Sequence, residues 1–554
     1  MFPKHFFSKK NILISIIFIL GILSLITHFN KVDIRFEEPR RMLVAIEMIY
    51  SGNFITPTVF NETYLNKPPL FNWLLISVFY LFNSFNLFTI RILTVVFILA
   101  LAFTNYWITK KYISKQVAFF SSIFFIITPD IFYHDAMYGE ITLFHHLLVL
   151  LQIISIFHFH HKKKLLLLFI VSYFFTAMGV LAKGLPSVVF QVFTLLGYFI
   201  YNKQFKQLVS WQHLLGILVF TGITTTYFYL YSEYSDVMAF LGNLFNESSE
   251  RTAVAQKSGN FILGLLKFPL NFLGALFPWI LLTGFIFYKK TWLQIKTNKL
   301  VVFYAIFFCV NIIIYWISPG VRNRYLYIFY PAVLIPITWA FILNANSNKF
   351  YNKIIYFLFA LIMVVSALAF LYIPFIPDAA KLPNIYIKSV VLSISSMIVF
   401  ILYFRTKLFK IYYFIIFLII VRFAFNFIQL PSLQLNNETQ AFENHLNNIL
   451  KITKDKPVHF CAQPNYITTS FKLGPLMFSE PKQTKVSPLD FGHKLGIALF
   501  FRNGHLVKYH ITPYKNVFYI IPTNQLKLHT GYTELYSFYE QTWTKNHLSL
   551  VYFK

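Results

Sequence analysis

The run Pro68-Pro69-Leu70-Phe71-Asn72-Trp73-Leu74-Leu75-Ile76-Ser77-Val78-Phe79-Tyr80-Leu81-Phe82 decides how this chain is laid against a membrane. It is apolar but short of the roughly 20 residues a spanning helix needs. If it crossed, every later loop would change sides. Further apolar runs stand on either side of it, at 11–29, 88–108, 117–128, 140–158, 165–181, 185–201, 212–231, 269–288, 300–317, 326–343, 354–373, 386–404 and 410–428, of which 117–128 is short and needs its flanks to span. These predict about thirteen transmembrane helices. The first is kept as an anchor because its apolar stretch is too long for a signal peptide and no small-residue cleavage site follows it.

Charge settles the register. With 68–82 lying along the outer interface, one face receives the loops holding Lys4/Lys9/Lys10, Lys110/Lys111/Lys115, Lys162/Lys163/Lys164, Lys203/Lys206, Lys289/Lys290/Lys296/Lys299, Lys349/Lys353 and Arg405/Lys407/Lys410. None of these loops carries an Asp or Glu, so the positive-inside rule makes that face cytoplasmic. All 20 acidic residues then lie outside or at the outer boundary. The expected location is a bacterial inner (cytoplasmic) membrane, with the N-terminus inside and the C-terminal part outside.

Composition agrees. The 554 residues are 57% hydrophobic and 12% charged, about half the charge of a soluble domain, which excludes an ordinary cytoplasmic enzyme and a disordered chain. The net charge of +28 does not point to nucleic acid, because the lysines come in twos and threes between spanning runs rather than along one polar face. Two cysteines, Cys309 and Cys461, give neither a disulfide framework nor a metal cluster.

After Gln429 the composition becomes polar. A helix near Glu438–Ile452 and strand-like pieces at Val458–Cys461, Leu495–Phe501 and Val517–Ile521 predict a small soluble α/β domain over 429–554. The expected partition is therefore 1–428, an all-α polytopic membrane domain with a first outer loop at about 30–87, and the tail. Function belongs on the outer side, since the inner loops are short tethers.

The first outer loop opens with Phe36-Glu37-Glu38-Pro39-Arg40-Arg41 and runs into an amphipathic stretch from Met42 to Tyr50. Other charges sit at outer helix ends: Lys67, Glu140, Lys183, Arg251, and Arg322 and Arg324 in Val321-Arg322-Asn323-Arg324-Tyr325. Each alone fits a solvated helix end or a snorkelling side chain. Ionisable groups at membrane depth are costly, so several cations gathered with carboxylates point to a site for a phosphate-bearing lipid.

These residues carry a resemblance. Glu37-Glu38-Pro39-Arg40, Ser51-Gly52-Asn53-Phe54, Pro57, Tyr64-Leu65-Asn66-Lys67-Pro68-Pro69-Leu70 and Trp73 resemble the first-loop signature of GT-C-type glycosyltransferases, the group of protein O-mannosyltransferases and lipid A aminoarabinose transferases. Gly179-Val180-Leu181-Ala182-Lys183-Gly184, Phe277-Pro278-Trp279 and Arg322 to Pro331 follow in the family's order, so the resemblance covers roughly 10–345. It implies a GT-C-like bundle of about thirteen helices that transfers a sugar from a polyprenyl-phosphate donor to a lipid or protein acceptor outside the membrane.

By the same resemblance, Glu37 stands at the family's catalytic Asp, Glu140 at its second-loop acid, and Glu38 and Arg40 beside the base. Lys67 matches the donor-phosphate lysine. Lys183, Arg251, Arg322, Arg324, Tyr325 and Tyr327 match positions lining the cavity. Two positions depart from the pattern: Glu37 replaces the usual Asp, and Asn66 stands where aminoarabinose transferases have a Glu that helps bind a metal, so no metal or other cofactor is carried over. Asp130 and Asp135 are rival acids near Glu140. The expected chemistry is inverting transfer, with Glu37 as general base and the cations neutralising the leaving phosphate. A transporter or flippase of lipid-linked sugars, and a polysaccharide polymerase or ligase, are the alternatives. Charges near the midplane would favour the transporter, and a late main outer loop the polymerase. There is no nucleotide-binding fingerprint.

Overall fold

The computed structural model describes all residues except 1–8, 29–31, 36, 250–260, 319–320, 346–349, 407–408, 463–464, 470–481, 487–491 and 541–545. Two compact units result. The helical unit holds 1–32, 65–71 and 90–432, and the loop–tail unit holds 33–64, 72–89 and 433–554. Residues 433–554 thus fall in one compact unit with 33–64 and 72–89 of the first loop.

The helical unit contains α1 (Lys9–Ile26), most of α4 (Leu87–Tyr112), α5 (Lys115–Ile126), α6 (Ile141–His161), α7 (Leu165–Lys183) and α8 (Pro186–Tyr201), followed by further apolar helices to Gln434. Among the described residues, ten helices are long and apolar enough to cross a membrane, or up to twelve if two bent pairs each count as one span. The chain is a multi-pass membrane protein. Of the thirteen expected segments, 117–128 continues past a 52° bend into 130–137. The 185–201 run forms α8, whose 16 residues rise about 24 Å, less than the roughly 30 Å hydrocarbon core.

The 269–288 run is not one straight helix. It breaks at Phe277-Pro278 and turns through 102° into a 3₁₀ stretch, Trp279–Phe287. Pro278 lacks the N–H that would continue the ladder and disfavours helix at the residue before it. The run at 68–82 forms α3 (Leu70–Phe82), whose 13 residues rise about 20 Å and cannot span.

The loop–tail unit is built on a five-stranded sheet. Its strands are β3 (Val458–Cys461), β6 (Tyr509–His510), β7 (Val517–Pro522), β8 (Tyr532–Glu540) and β9 (Asn546–Phe553), in the order β6-β3-β7-β9-β8. The β3 strand is parallel to both neighbours, and β7-β9-β8 is antiparallel. Short hairpin strands β1 (Thr58–Val59) and β2 (Glu62–Thr63), and β4 (Asn465–Thr469) and β5 (Lys482–Val486), form two further ladders. Cys461, Tyr519, Ile521, Val551 and Phe553 form one core cluster. The polar helix forms at Asn437–Thr453, capped by the Asn436 side chain on the Glu438 N–H.

Leu495–Phe501, read as a strand, lies instead in a helix, His493–Asn503, stopped by Gly504 at φ +74°. An unbroken apolar run does not distinguish a buried strand from a buried helix by periodicity. Here the glycine stop and the burial of Leu495, Ile497, Leu499 and Phe500 belong to a helix.

The amphipathic helix α2 (Glu38–Ser51) sits in this unit, with Pro39 in its first turn and Gly52 at φ +69° ending it. Its Glu47 carboxylate accepts from the Phe60 N–H at 2.5 Å, the Asn61 N–H at 3.1 Å and the Thr58 hydroxyl at 2.8 Å. Phe60 and Asn61 both have positive φ, +55° and +68°, which makes the β1–β2 connection a left-handed turn whose free N–H groups need such an acceptor. A phenylalanine in that conformation is strained. Phe60 is held there by packing: it is fully buried, meets Phe460 edge-on at 5.1 Å and stacks on His493 at 5.5 Å. Gly496 makes the fit, because a Cβ there would come within 2.6 Å of the Phe60 ring. Lys494, buried against the Phe442 ring at 4.1 Å, pairs with Asp33 at 2.7 Å.

Candidate active site

In the helical unit, Glu140 occupies the N-cap position of α6, in extended backbone, and its side chain is nearly fully buried. It forms an ion pair with Arg324, the second residue of the 3₁₀ turn Asn323–Phe329 ahead of the helix Tyr330–Asn344. A buried charge costs several kcal/mol to desolvate, so the two groups hold each other in place. Lys183 is the last residue of α7. Gly184 follows at φ +94°, ψ −148°, a conformation open in practice to glycine alone, which stops the helix there and fixes where the lysine stands. Its Nζ donates to the Thr142 hydroxyl at 3.2 Å and lies 4.6 Å from the Tyr325 ring centroid. The Arg324 guanidinium lies 5.7 Å from the same ring. The Tyr325 ring thus meets both cations, and one of them, Arg324, pairs with the Glu140 carboxylate.

The two rival acids are engaged elsewhere. Asp135 accepts from His134 at 2.7 Å and from the Tyr327 hydroxyl, and Asp130 accepts from the Asn323 amide at 3.0 Å. Tyr327 is buried, 5.2 Å from the Tyr330 ring. Lys67 is buried and its Nζ donates to the Asn66 carbonyl at 2.8 Å; it and Lys183 both act electrostatically on His145. The Asn66 side chain accepts from the Asn243 amide at 3.2 Å, so this amide serves the loop. Arg322 is exposed and has no ion-pair or hydrogen-bond partner among the described residues. Arg251 lies outside the described residues.

The histidines at 145–146 and 158–161 have local roles. His145 Nε2 meets the Ser187 hydroxyl at 2.9 Å, His158 the Tyr112 hydroxyl at 3.0 Å, and His160 the Gln204 amide at 2.6 Å. Among the described residues no group of three or more His, Cys, Asp or Glu side chains is arranged to hold a metal ion.

In the loop–tail unit, Glu37 immediately precedes α2 and is half-buried, and Glu38, in the first turn, is fully buried. The Glu37 carboxylate receives Arg40 at 3.4 Å and Arg41 at 3.3 Å, one and the same oxygen taking both. Arg41 is the partner that the sequence reading did not single out. It is buried and lies 5.5 Å from the Tyr64 ring, and its i, i+4 spacing from Glu37 was the available signal. Two guanidinium groups thus hold that one carboxylate oxygen.

Residues 66–229, which include Lys67, Glu140 and Lys183, match the family model of dolichyl-phosphate-mannose-protein mannosyltransferases. No curated protein matches the chain. Among solved structures, the crystal structure of ArnT from Cupriavidus metallidurans bound to undecaprenyl phosphate is similar over 97% of each chain, at 15% identity and a TM-score of 0.64. The same protein in the apo state is similar over 98% of each chain, at 14% identity and a TM-score of 0.66. The chain has a GT-C fold. The likeness covers the tail as well as the spanning helices.

Proposed function

We propose that this protein is an integral-membrane glycosyltransferase that moves a sugar from a polyprenyl-phosphate donor to an acceptor on the extracytoplasmic side of a bacterial inner membrane. The acceptor is a lipid A-like glycolipid, a protein or an envelope polymer. The observation that carries the reading is the buried Glu140–Arg324 pair, with Lys183 and Arg324 sharing the Tyr325 ring, in a GT-C fold. Likeness to a protein crystallised with undecaprenyl phosphate supports the donor class.

The mechanism follows from charge. Glu37 takes the proton of the acceptor hydroxyl as that oxygen attacks the anomeric carbon from the side opposite the phosphate, and the sugar inverts. Arg40 and Arg41 orient the carboxylate, and Glu38 supports the same helix start. The departing polyprenyl phosphate develops negative charge in a low-dielectric setting, where Lys67, Lys183 and Arg324 stabilise it far more than they would in water. Glu140 keeps Arg324 oriented. Arg322, Tyr325 and Tyr327 complete the lining of the substrate cavity in this reading. The segregation of lysines puts the N-terminus in the cytoplasm and the tail outside.

The test is mass spectrometry of envelope lipids and glycoproteins from a deletion strain. Loss of one sugar mass from one acceptor class, restored by the wild-type gene, supports the proposal. An unchanged envelope with accumulation of neither donor nor acceptor contradicts it.

A further inference from the structure

A second feature of the helical unit lies along the second half of α6, from Leu151 to Phe159, about 16–28 Å along the helix from Glu140. A crevice of about 490 Å³ opens between α4, α6 and α7, lined by Phe103, Trp107, Leu151, Ile154, His158 and Val171 among others. These positions fall in the last turns of α4, the second half of α6 and the start of α7, so the crevice occupies the half of the bundle next to the Lys162–Lys164 loop. Its α4 wall faces outward, with Phe103 68% and Trp107 42% exposed.

The mouth is cationic. Lys110 and Lys111 lie in the last turn of α4, and Lys162 caps α6. The Lys111 Nζ stands 5.2 Å from the Trp107 ring and 5.9 Å from the Tyr112 ring, and the Tyr112 hydroxyl meets His158 at 3.0 Å. No Asp or Glu occurs in the sequence over 106–129 or 141–232, so no carboxylate from these stretches neutralises the lysines. An apolar slot lined by Trp107 and opening beside lysines that no carboxylate of these stretches compensates matches one kind of molecule in both its halves. Its tail is hydrocarbon and its headgroup carries net negative charge.

We infer that this crevice is a binding site for an anionic phospholipid of the adjoining leaflet, with an acyl chain along Phe103, Leu151, Ile154 and Val171 and the phosphate on Lys111 and Lys162. It is separate from the proposed donor site, which lies at the opposite helix ends.

The experiment is native mass spectrometry of the full chain in detergent, titrated with phosphatidylglycerol and, in parallel, with phosphatidylethanolamine of the same acyl chains. The expected result is one retained phosphatidylglycerol, bound at least tenfold more tightly than phosphatidylethanolamine. The double variant Lys111→Gln/Lys162→Gln should weaken it about thirty-fold, since each lysine near the surface contributes to anionic lipid binding. Both lysines are exposed, so the variant should fold. Val171→Trp, which fills the slot without touching charge, should remove the retained lipid as well. Equal binding of the two lipids, or unaltered phosphatidylglycerol binding in both variants, overturns the inference.

Discussion

Glu140 and Arg324, 184 residues apart in sequence, form an ion pair in which both side chains are at most one-tenth exposed. Removing one member leaves the other charged and buried. Glu140→Gln and Arg324→Met should each destabilise the protein by about 3–5 kcal/mol, and the double variant should recover much of that loss. Thermal unfolding in detergent measures the cycle. Sugar transfer should not recover in the double variant, because Arg324 is then missing from the phosphate site. Recovery of both stability and transfer would make the pair purely structural.

Lys183 is the cation whose position is set most tightly by the backbone, through the glycine that ends α7. Lys183→Met should weaken binding of polyprenyl phosphate about tenfold or more, the size expected for losing a charged hydrogen-bond donor. Lys183→Arg should retain part of it. A direct binding titration decides this, and equal affinities for wild type and Lys183→Met would remove the residue from the donor site.

The Glu47 clamp on the β1–β2 turn should be the weak point of the loop–tail unit. Glu47→Ala leaves the Phe60 and Asn61 N–H groups and the Thr58 hydroxyl without their acceptor, at a cost of about 3 kcal/mol. Hydrogen exchange should show residues 58–63 opening before the five-stranded sheet does. Uniform protection in the variant would contradict the assignment.

Acid should loosen this unit through His459. Burial, with His510 and Lys508 adding to it, lowers its pKa from 6.5 to about 4, and its Nδ1 accepts the Lys508 N–H at 3.2 Å, which requires an unprotonated nitrogen. The folded form therefore binds fewer protons than the unfolded form between pH 4 and 6.5. Its contribution to stability is fully present above about pH 6.5 and is lost as pH falls through 4. His459→Gln should flatten the dependence of melting temperature on pH in that window.

Much of the architecture was legible because a bilayer imposes simple rules. Length and hydropathy located the spans, and the lysine loops assigned 68–82 to a non-spanning helix, which α3 is at 13 residues. The reading weakened where tertiary packing decides. Leu495–Phe501 is apolar throughout, so its helix is set by Gly504 and by Phe60 closing over Gly496, neither of which has a periodic signature. The grouping of 33–64 with 433–554 depends on residues such as Phe60 and Lys494 that look unremarkable in sequence. In the site, family order pointed to Glu140, Lys183 and Arg324, but only the fold shows that Arg324 pairs with Glu140 and not with Asp130 or Asp135. Arg322, an equal candidate by sequence, is exposed: it stands two residues earlier, in extended backbone just before the 3₁₀ turn that carries Arg324.

The central claim is that the protein discharges a sugar from a polyprenyl phosphate with Glu37 as base. The most direct measurement is release of polyprenyl phosphate from a set of polyprenyl-phosphate hexoses and pentoses by the purified protein, supplied with envelope glycolipids and proteins as acceptors. Wild type should release it from at least one donor, with the sugar appearing on an acceptor, and Glu37→Gln should lower the rate about 10²–10⁴-fold while melting at the same temperature. Transfer by Glu37→Gln at the wild-type rate, or no release from any donor by a folded wild-type protein, would contradict the account.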